Sequence, residues 1–250
     1  MPSLPVDRHG SGEPIVWLHG FTQTRRSAQN YLSIVAGRHE VVTPDLPGHG
    51  DACGIVANLD EAGQLVLDCM PKSPGFLGGY SMGGRIALHA ALLAPSAVSA
   101  LVLLGATRGI ASPNDRAIRR RDDEARAIRI DEYGVETFLD EWLAGPLFET
   151  LPDDPLDRAA RSTNAKGLAS SLRLCGTGSQ RFLGGEIHRL TMPVLLIAGA
   201  NDEKFAGEAF EMALHLPDAH VAIIPDAGHA AHLEQPEFVA DVVTEFLSNY

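Results

Sequence analysis

Cysteine is scarce. The 250-residue chain has three, Cys53, Cys69 and Cys175, an odd number at wide spacing with no CxxC pair. That argues against a disulfide framework and against a zinc site, and it fits a reducing compartment. No histidine pair has metal-ligand spacing backed by carboxylates, so no metal is expected. Positive charge is also short: 20 Lys and Arg against 32 Asp and Glu leave a formal net charge of −12. Such a chain repels a phosphate backbone, so nucleic acid is not an expected partner. An anionic small molecule would need its own local cluster of Arg or Lys. Long apolar runs are missing. Ala97 to Ala106 is strongly apolar but too short to span a bilayer. The opening MPSLPVDRHG lacks the apolar core of a signal peptide. The expectation is a cytoplasmic protein without membrane insertion. No G-x-G-x-x-G opens a βαβ unit, so no dinucleotide is expected, nor any other cofactor. Neither an internal repeat nor a low-complexity segment stands out, and nothing in the composition sets an oligomeric state.

What is present is alternation. Short Val/Ile/Leu-rich runs, bounded by Gly, Pro or Asp, fall at Ile15–Leu18, Glu40–Pro44, Phe76–Gly79, Ser99–Leu104, Val194–Ala198 and Ala222–Ile224. Helical patterns lie between them, at Ser27–Ala36, Leu59–Met70, Met82–Ala94, Lys204–His215 and Pro236–Ser248. This predicts an α/β fold, a mostly parallel central sheet flanked by helices on both faces. The apolar fraction of 45% and the charged fraction of 21% suit one globular domain. The alternation breaks at residues 107–183, where Arg/Asp/Glu-rich helical segments are interrupted by Pro113, Pro146, Pro152 and Pro155. The predicted division is a core of residues 1–106 and 184–250 with an inserted helical cap at 107–183. A long insertion of this kind is commonly functional, often as a lid.

Gly79-Tyr80-Ser81-Met82-Gly83 matches G-x-S-x-G. The chemistry needs a sharp strand-to-helix turn that lifts the serine hydroxyl out at the end of a strand, and the flanking glycines let chain and helix pass closely. The sequence around it has the right form: a buried run before and a helical pattern with small residues after. Serine is inert near its free pKa and needs a base, and the base needs an acid to fix its tautomer. Asp202 follows one predicted strand and His229 follows the next, giving the chain order Ser…Asp…His of the α/β-hydrolase fold. Two rivals stay open: Asp226, in the same loop as His229, and His232, three residues beyond it. His19-Gly20-Phe21 follows the first clear strand, which makes Phe21 N–H and Met82 N–H the candidate oxyanion donors. His19 itself reads as structural. Serine rather than aspartate at the elbow argues against a haloalkane dehalogenase or an epoxide hydrolase.

Arg85 lies one helical turn beyond Ser81, and the cap adds Arg116, Arg119, Arg120, Arg121, Arg126, Arg129, Arg158 and Arg161. Several are spaced for ordinary i,i+4 ion pairs on a solvated helix: Arg119 with Asp123, Arg120 with Glu124, Asp122 with Arg126. An arginine beside the nucleophile under an arginine-rich cap, in so acidic a chain, nevertheless points to a carboxylate-bearing substrate.

With these residues in view the chain resembles the 2-succinyl-6-hydroxy-2,4-cyclohexadiene-1-carboxylate synthase family, lyases of menaquinone biosynthesis on the α/β-hydrolase fold. The resemblance runs over nearly the whole length. Its discriminating pieces are the elbow extended to Gly84-Arg85, the run Arg116 to Glu124, Trp142 with Pro146-Leu147-Phe148, and Arg161-Ser162-Thr163-Asn164 followed by Gly167-Leu168-Ala169. Gly176-Thr177-Gly178-Ser179-Gln180, Asp202-Glu203-Lys204-Phe205 and Gly228-His229-Ala230-Ala231-His232 complete them. The resemblance implies a Ser81, Asp202, His229 triad and a substrate site lined by Tyr80, Arg85, Arg119, Trp142 and Arg161. It implies elimination of pyruvate from 2-succinyl-5-enolpyruvyl-6-hydroxy-3-cyclohexene-1-carboxylate, a tricarboxylate, with Ser81 acting as base. The competing readings are a carboxylesterase or C–C bond hydrolase with nucleophilic Ser81, and a non-catalytic ligand receptor on the same fold.

Overall fold

A computed structural model describes residues 2–250. Its sheet has seven strands: β1 (Val6–His9), β2 (Pro14–Leu18), β3 (Glu40–Pro44), β4 (Gly75–Tyr80), β5 (Val98–Leu104), β6 (Val194–Gly199) and β7 (Ala219–Ile224). The order across the sheet is β1-β3-β2-β4-β5-β6-β7, with β1 antiparallel to β3 and every other pair parallel. The six expected strands are present, and β7 begins three residues earlier than its apolar core. The strand Val6–His9 was not expected. It is a polar, largely exposed edge, so it carries no apolar signal.

Central strands bury both faces, which is why they read as continuous apolar runs. Side chains alternate between two cores. Val16, Leu18, Leu77, Leu101, Leu103, Val194 and Leu196 face one side. There they meet α2 (Leu59–Leu67), α3 (Met82–Leu93) and α7 (Glu203–Ala213). Ile15, Trp17, Phe76, Val102, Leu104, Leu195 and Ile197 face the other, against α1 (Gln29–Val35) and α9 (Pro236–Leu247). Each fully buried Leu, Ile or Phe contributes about 1.5–3 kcal/mol relative to exposure. Helix α1 starts two residues later than its pattern because Ala28 sits in the left-handed region at φ 60°.

Between β5 and β6 there is no strand. Helix α4 (Pro113–Leu143) breaks at Gly134, whose φ of 81° no helix accepts, and α5 (Pro155–Ala159) and α6 (Ala165–Cys175) follow. This segment has its own small core, in which Ala127, Ile130, Phe138 and Leu139 of α4 meet Leu168 and Leu172 of α6. Three of its arginines pin helical segments together. Arg173 bridges Glu124 and Asp131, Arg158 bridges Glu136 and Asp140, and Arg129 pairs with Glu141. The expected Arg120–Glu124 and Asp122–Arg126 pairs do not form; Glu124 goes to Arg173, and Arg126 turns to Asp123 at 3.4 Å.

Candidate active site

The carboxyl ends of β2, β4, β6 and β7 carry the site. Ser81 ends β4 in a strained conformation, φ 52° and ψ −108°, and α3 starts at the next residue. That turn brings α3 so close to β2 that a Cβ on Gly83 would lie 2.3 Å from the Leu18 carbonyl oxygen, so only glycine fits. Strain of this kind costs of order 1–3 kcal/mol and persists where the surrounding packing overdetermines it. Here it holds the Ser81 hydroxyl in the cleft.

His229 is 2% exposed and lies 3.0 Å from Ser81 Oγ through Nε2, and 2.7 Å from Asp202 Oδ2 through Nδ1. The carboxylate can only accept, so Nδ1 carries the proton and Nε2 is left to accept from the serine. Asp202 is also the N-cap of α7, its Oδ1 accepting from Phe205 N at 3.3 Å, so the helix start fixes the carboxylate in place. The rivals separate. Asp226 is exposed on its turn. His232 is 1% exposed, packs at a tilt against Tyr80 with ring centroids 4.4 Å apart, and has no partner on either nitrogen among the described residues. Burial lowers its pKa to about 3, so it is a neutral packing ring and not the base beside Ser81.

Phe21 N–H and Met82 N–H donate to no protein atom among the described residues, and both residues line the cleft. Two histidines clamp the loop that carries Phe21. His19 Nδ1 donates to Gly20 O at 2.8 Å, and its Nε2 accepts from Leu46 N at 3.0 Å. His49 Nδ1 donates to Pro47 O at 3.0 Å, and its Nε2 accepts from Thr22 N at 3.3 Å. Each ring uses one nitrogen as donor and the other as acceptor, so each must be neutral. Burial pushes His19 down to about 4 and, with the neighbouring His19 adding to it, His49 down to about 3.

A pH dependence of stability follows. An unfolded imidazole titrates near 6.5. Below that pH the unfolded chain takes up protons that folded His19, His49 and His232 refuse until about pH 3–4. Stability is therefore full above pH 6.5 and falls on acidification, by roughly 1.4 kcal/mol per pH unit for each such histidine. Urea unfolding midpoints measured from pH 7.5 to 4.5 should drop below pH 6.5, and His49→Gln should make that drop shallower.

Above Ser81 and His229 is a cleft whose walls include Phe21, Tyr80, Met82, Thr107, Trp142, Phe148, Thr177 and Phe205. Three cations line it, Arg85, Arg119 and Lys204, and no Asp or Glu does. Arg85 is 7% exposed; its Nη1 donates to the Cys175 carbonyl at 2.7 Å, and no carboxylate is paired with it among the described residues. Burial lowers its pKa to about 10. Arg119 is aimed by buried Asp123, which accepts from its Nε at 2.7 Å and is itself held by Gly178 N at 2.9 Å. Tyr80, Arg85, Arg119 and Trp142 all line this cleft.

Arg161, the fifth residue named by the resemblance, is not among the residues that line the cleft. Its guanidinium donates to Asp157 Oδ2 through Nε and Nη2, at 3.0 and 2.6 Å, and to Thr22 Oγ1 through Nη1 at 2.6 Å. Those three bonds hold it against the loop just beyond Phe21, where it lines a separate surface recess with Arg25 and Asp45. Ser162 N to Thr22 O at 2.7 Å and Thr24 Oγ1 to Ala160 O at 2.6 Å tie the same two segments. Arg161 is a staple between the helical insertion and the loop of Phe21. Reasoning from sequence passed over Thr107, Ser171 and Phe205 as site residues. The first two have no motif, and Phe205, with its ring centroid 4.4 Å from that of His229, stood only in the run after Asp202.

Among the described residues, no group of three or more His, Cys, Asp or Glu is placed to hold a metal, and no helix is long and apolar enough to cross a membrane. A family model described as the alpha/beta hydrolase family matches residues 15–242. A putative 2-succinyl-6-hydroxy-2,4-cyclohexadiene-1-carboxylate synthase of Bacillus subtilis is 35% identical, the alignment covering 96% of this chain and 92% of that protein. The synthase of Photorhabdus laumondii is 33% identical over 94% of this chain and 85% of its own length. Among solved structures, MenH from S. aureus superposes with a TM-score of 0.91 at 30% identity, covering 98% of both chains. A thermophilic esterase of Thermogutta terrifontis, 24% identical with a TM-score of 0.81 over 98% of this chain and 93% of its own, shares the fold. The chain belongs to the alpha/beta hydrolase family and, within it, to the 2-succinyl-6-hydroxy-2,4-cyclohexadiene-1-carboxylate synthases.

Proposed function

We propose that this chain is the lyase its family is named for, eliminating pyruvate from 2-succinyl-5-enolpyruvyl-6-hydroxy-3-cyclohexene-1-carboxylate in menaquinone biosynthesis. The observation that carries the reading is the charge of the cleft: three cations and no carboxylate in a chain of net charge −12. A hydrolase of uncharged esters has no use for them, whereas a tricarboxylate needs them.

Ser81, Asp202 and His229 act as one unit. Asp202 holds the imidazole so that Nε2 faces Ser81 Oγ, 3.0 Å away. His229 takes the serine proton, and Ser81 removes the proton from the ring carbon that bears the succinyl ketone. Negative charge then develops on the ketone oxygen, for which Phe21 N–H and Met82 N–H serve as donors. The electrons return through the ring double bond, the carbon–oxygen bond to the enolpyruvyl group breaks, and pyruvate leaves as its enolate, to be protonated on carbon. A hydrolase oxyanion hole serves an enolate because both reactions place charge on a former carbonyl oxygen. No acyl-enzyme forms. Arg85 and Arg119 bind carboxylates, Tyr80 and Trp142 shape the walls, and the helical segment 107–183 serves as a cap over the site.

The test couples pyruvate formation to an indicator dehydrogenase, with the enolpyruvyl substrate supplied. Turnover with stoichiometric pyruvate supports the lyase. Rapid hydrolysis of simple esters with no pyruvate would replace it with the nucleophilic reading.

A further inference from the structure

We infer that Lys204 is the third carboxylate-binding residue, and that it holds the carboxylate of the departing enolpyruvyl group. This rests on the lyase reading above. The substrate then has three carboxylates, of which two remain on the ring product and one leaves.

The cleft offers three cations, and they differ in kind. Arg85 is buried at 7% exposure and hydrogen-bonded to the backbone. Arg119 is held from behind by Asp123. Both are fixed forks suited to groups that stay in place through the reaction. Lys204 is exposed, in the first turn of α7, and borders the cleft beside Phe205 and His229. It forms no ion pair among the described residues; its ammonium lies 5.3 Å from the centre of the Phe205 ring, and that ring packs on His229. The same short segment therefore supplies the triad acid, a wall of the cleft and an ammonium at its rim. A compact charge on a flexible stem can follow a group that is leaving. With Arg161 engaged by Asp157 and Thr22, Lys204 is the remaining cation that borders the cleft. When the carbon–oxygen bond breaks, charge grows beside the enolpyruvyl carboxylate, where this ammonium stabilises it.

The experiment compares wild type, Lys204→Met and Lys204→Arg. It measures pyruvate release from the enolpyruvyl substrate and inhibition by the cyclohexadiene product, which keeps only two carboxylates. Lys204→Met is expected to lower kcat/KM about tenfold, the effect of roughly one charge-assisted contact at a rim. Inhibition by the product should change less than twofold, and Lys204→Arg should recover most of the activity. Unchanged kcat/KM in Lys204→Met overturns the assignment. So does a product inhibition constant that weakens in step with kcat/KM, since Lys204 would then hold a carboxylate that stays. Absence of pyruvate from wild type fails the lyase reading itself and is seen before any variant is tested. The side chain is exposed, so unfolding midpoints serve as a control and should not move.

Discussion

Ser81→Ala is expected to lower kcat for pyruvate release by about 10⁴-fold while KM stays within about threefold, the pattern of losing a group that acts in the transition state. The substitution removes one oxygen from a cleft whose carboxylate-binding cations are elsewhere, so ground-state binding has little reason to change. His229→Ala should cost a similar factor, and the double variant little more than either alone, because the two act as one unit. The role of the oxygen is separable. A base leaves no mark on the protein, whereas a nucleophile passes through a covalent state. Intact-mass measurement of wild type quenched during turnover should show only the unmodified chain. An adduct on Ser81 would sink the base mechanism even if the variant behaved as described. Residue 81 has φ 52°; alanine is under the same steric constraint there as serine, so the unfolding midpoint should move little.

The elbow was legible from sequence because its constraint is local. Gly79, Ser81 and Gly83 fall within five consecutive residues, and a strand pattern and a helix pattern flank them. Asp202 and His229 were legible through order: each follows a strand that must end on the same side of a parallel sheet. The edge strand Val6–His9 was not, since a polar strand held by one neighbour has no apolar period. Arg161 shows the limit more sharply. Its sequence context resembles a substrate-binding arginine, but whether a guanidinium faces a cleft depends on which acceptors surround it in space. Asp157, one turn before it, and Thr22, from a loop 139 residues earlier, take its donors. The i,i+4 relation to Asp157 is visible in the chain, while the Thr22 contact exists only after folding.

Arg85→Met makes the other large prediction, and it has two signs. Arg85 is a charge kept out of water without a paired carboxylate; burial, with Arg119 nearby, depresses its pKa to about 10, and Asp123 offsets this only in part. The substrate carboxylate is the counter-ion it lacks. Replacing it removes a nearly desolvated charge contact, an interaction worth about 2–5 kcal/mol when one partner is deleted. kcat/KM should therefore fall by roughly 10²–10³-fold. The empty enzyme should respond in the opposite direction. Methionine has a similar unbranched stem and no charge to desolvate, and exchanging an unpaired buried ion for an apolar side chain is commonly stabilising. Against that stands the lost hydrogen bond to the Cys175 carbonyl, worth about 1 kcal/mol. A net gain of about 1–2 kcal/mol corresponds to a rise in Tm of roughly 3–6 °C for a chain of this size. Calorimetry on the ligand-free proteins, alongside steady-state kinetics, reads both signs. Lost activity with unchanged or lower Tm would mean that Asp123 already neutralises Arg85 in the empty cleft. Lost activity with higher Tm would mean that the site holds its charge at a cost to the fold, which binding the substrate then relieves.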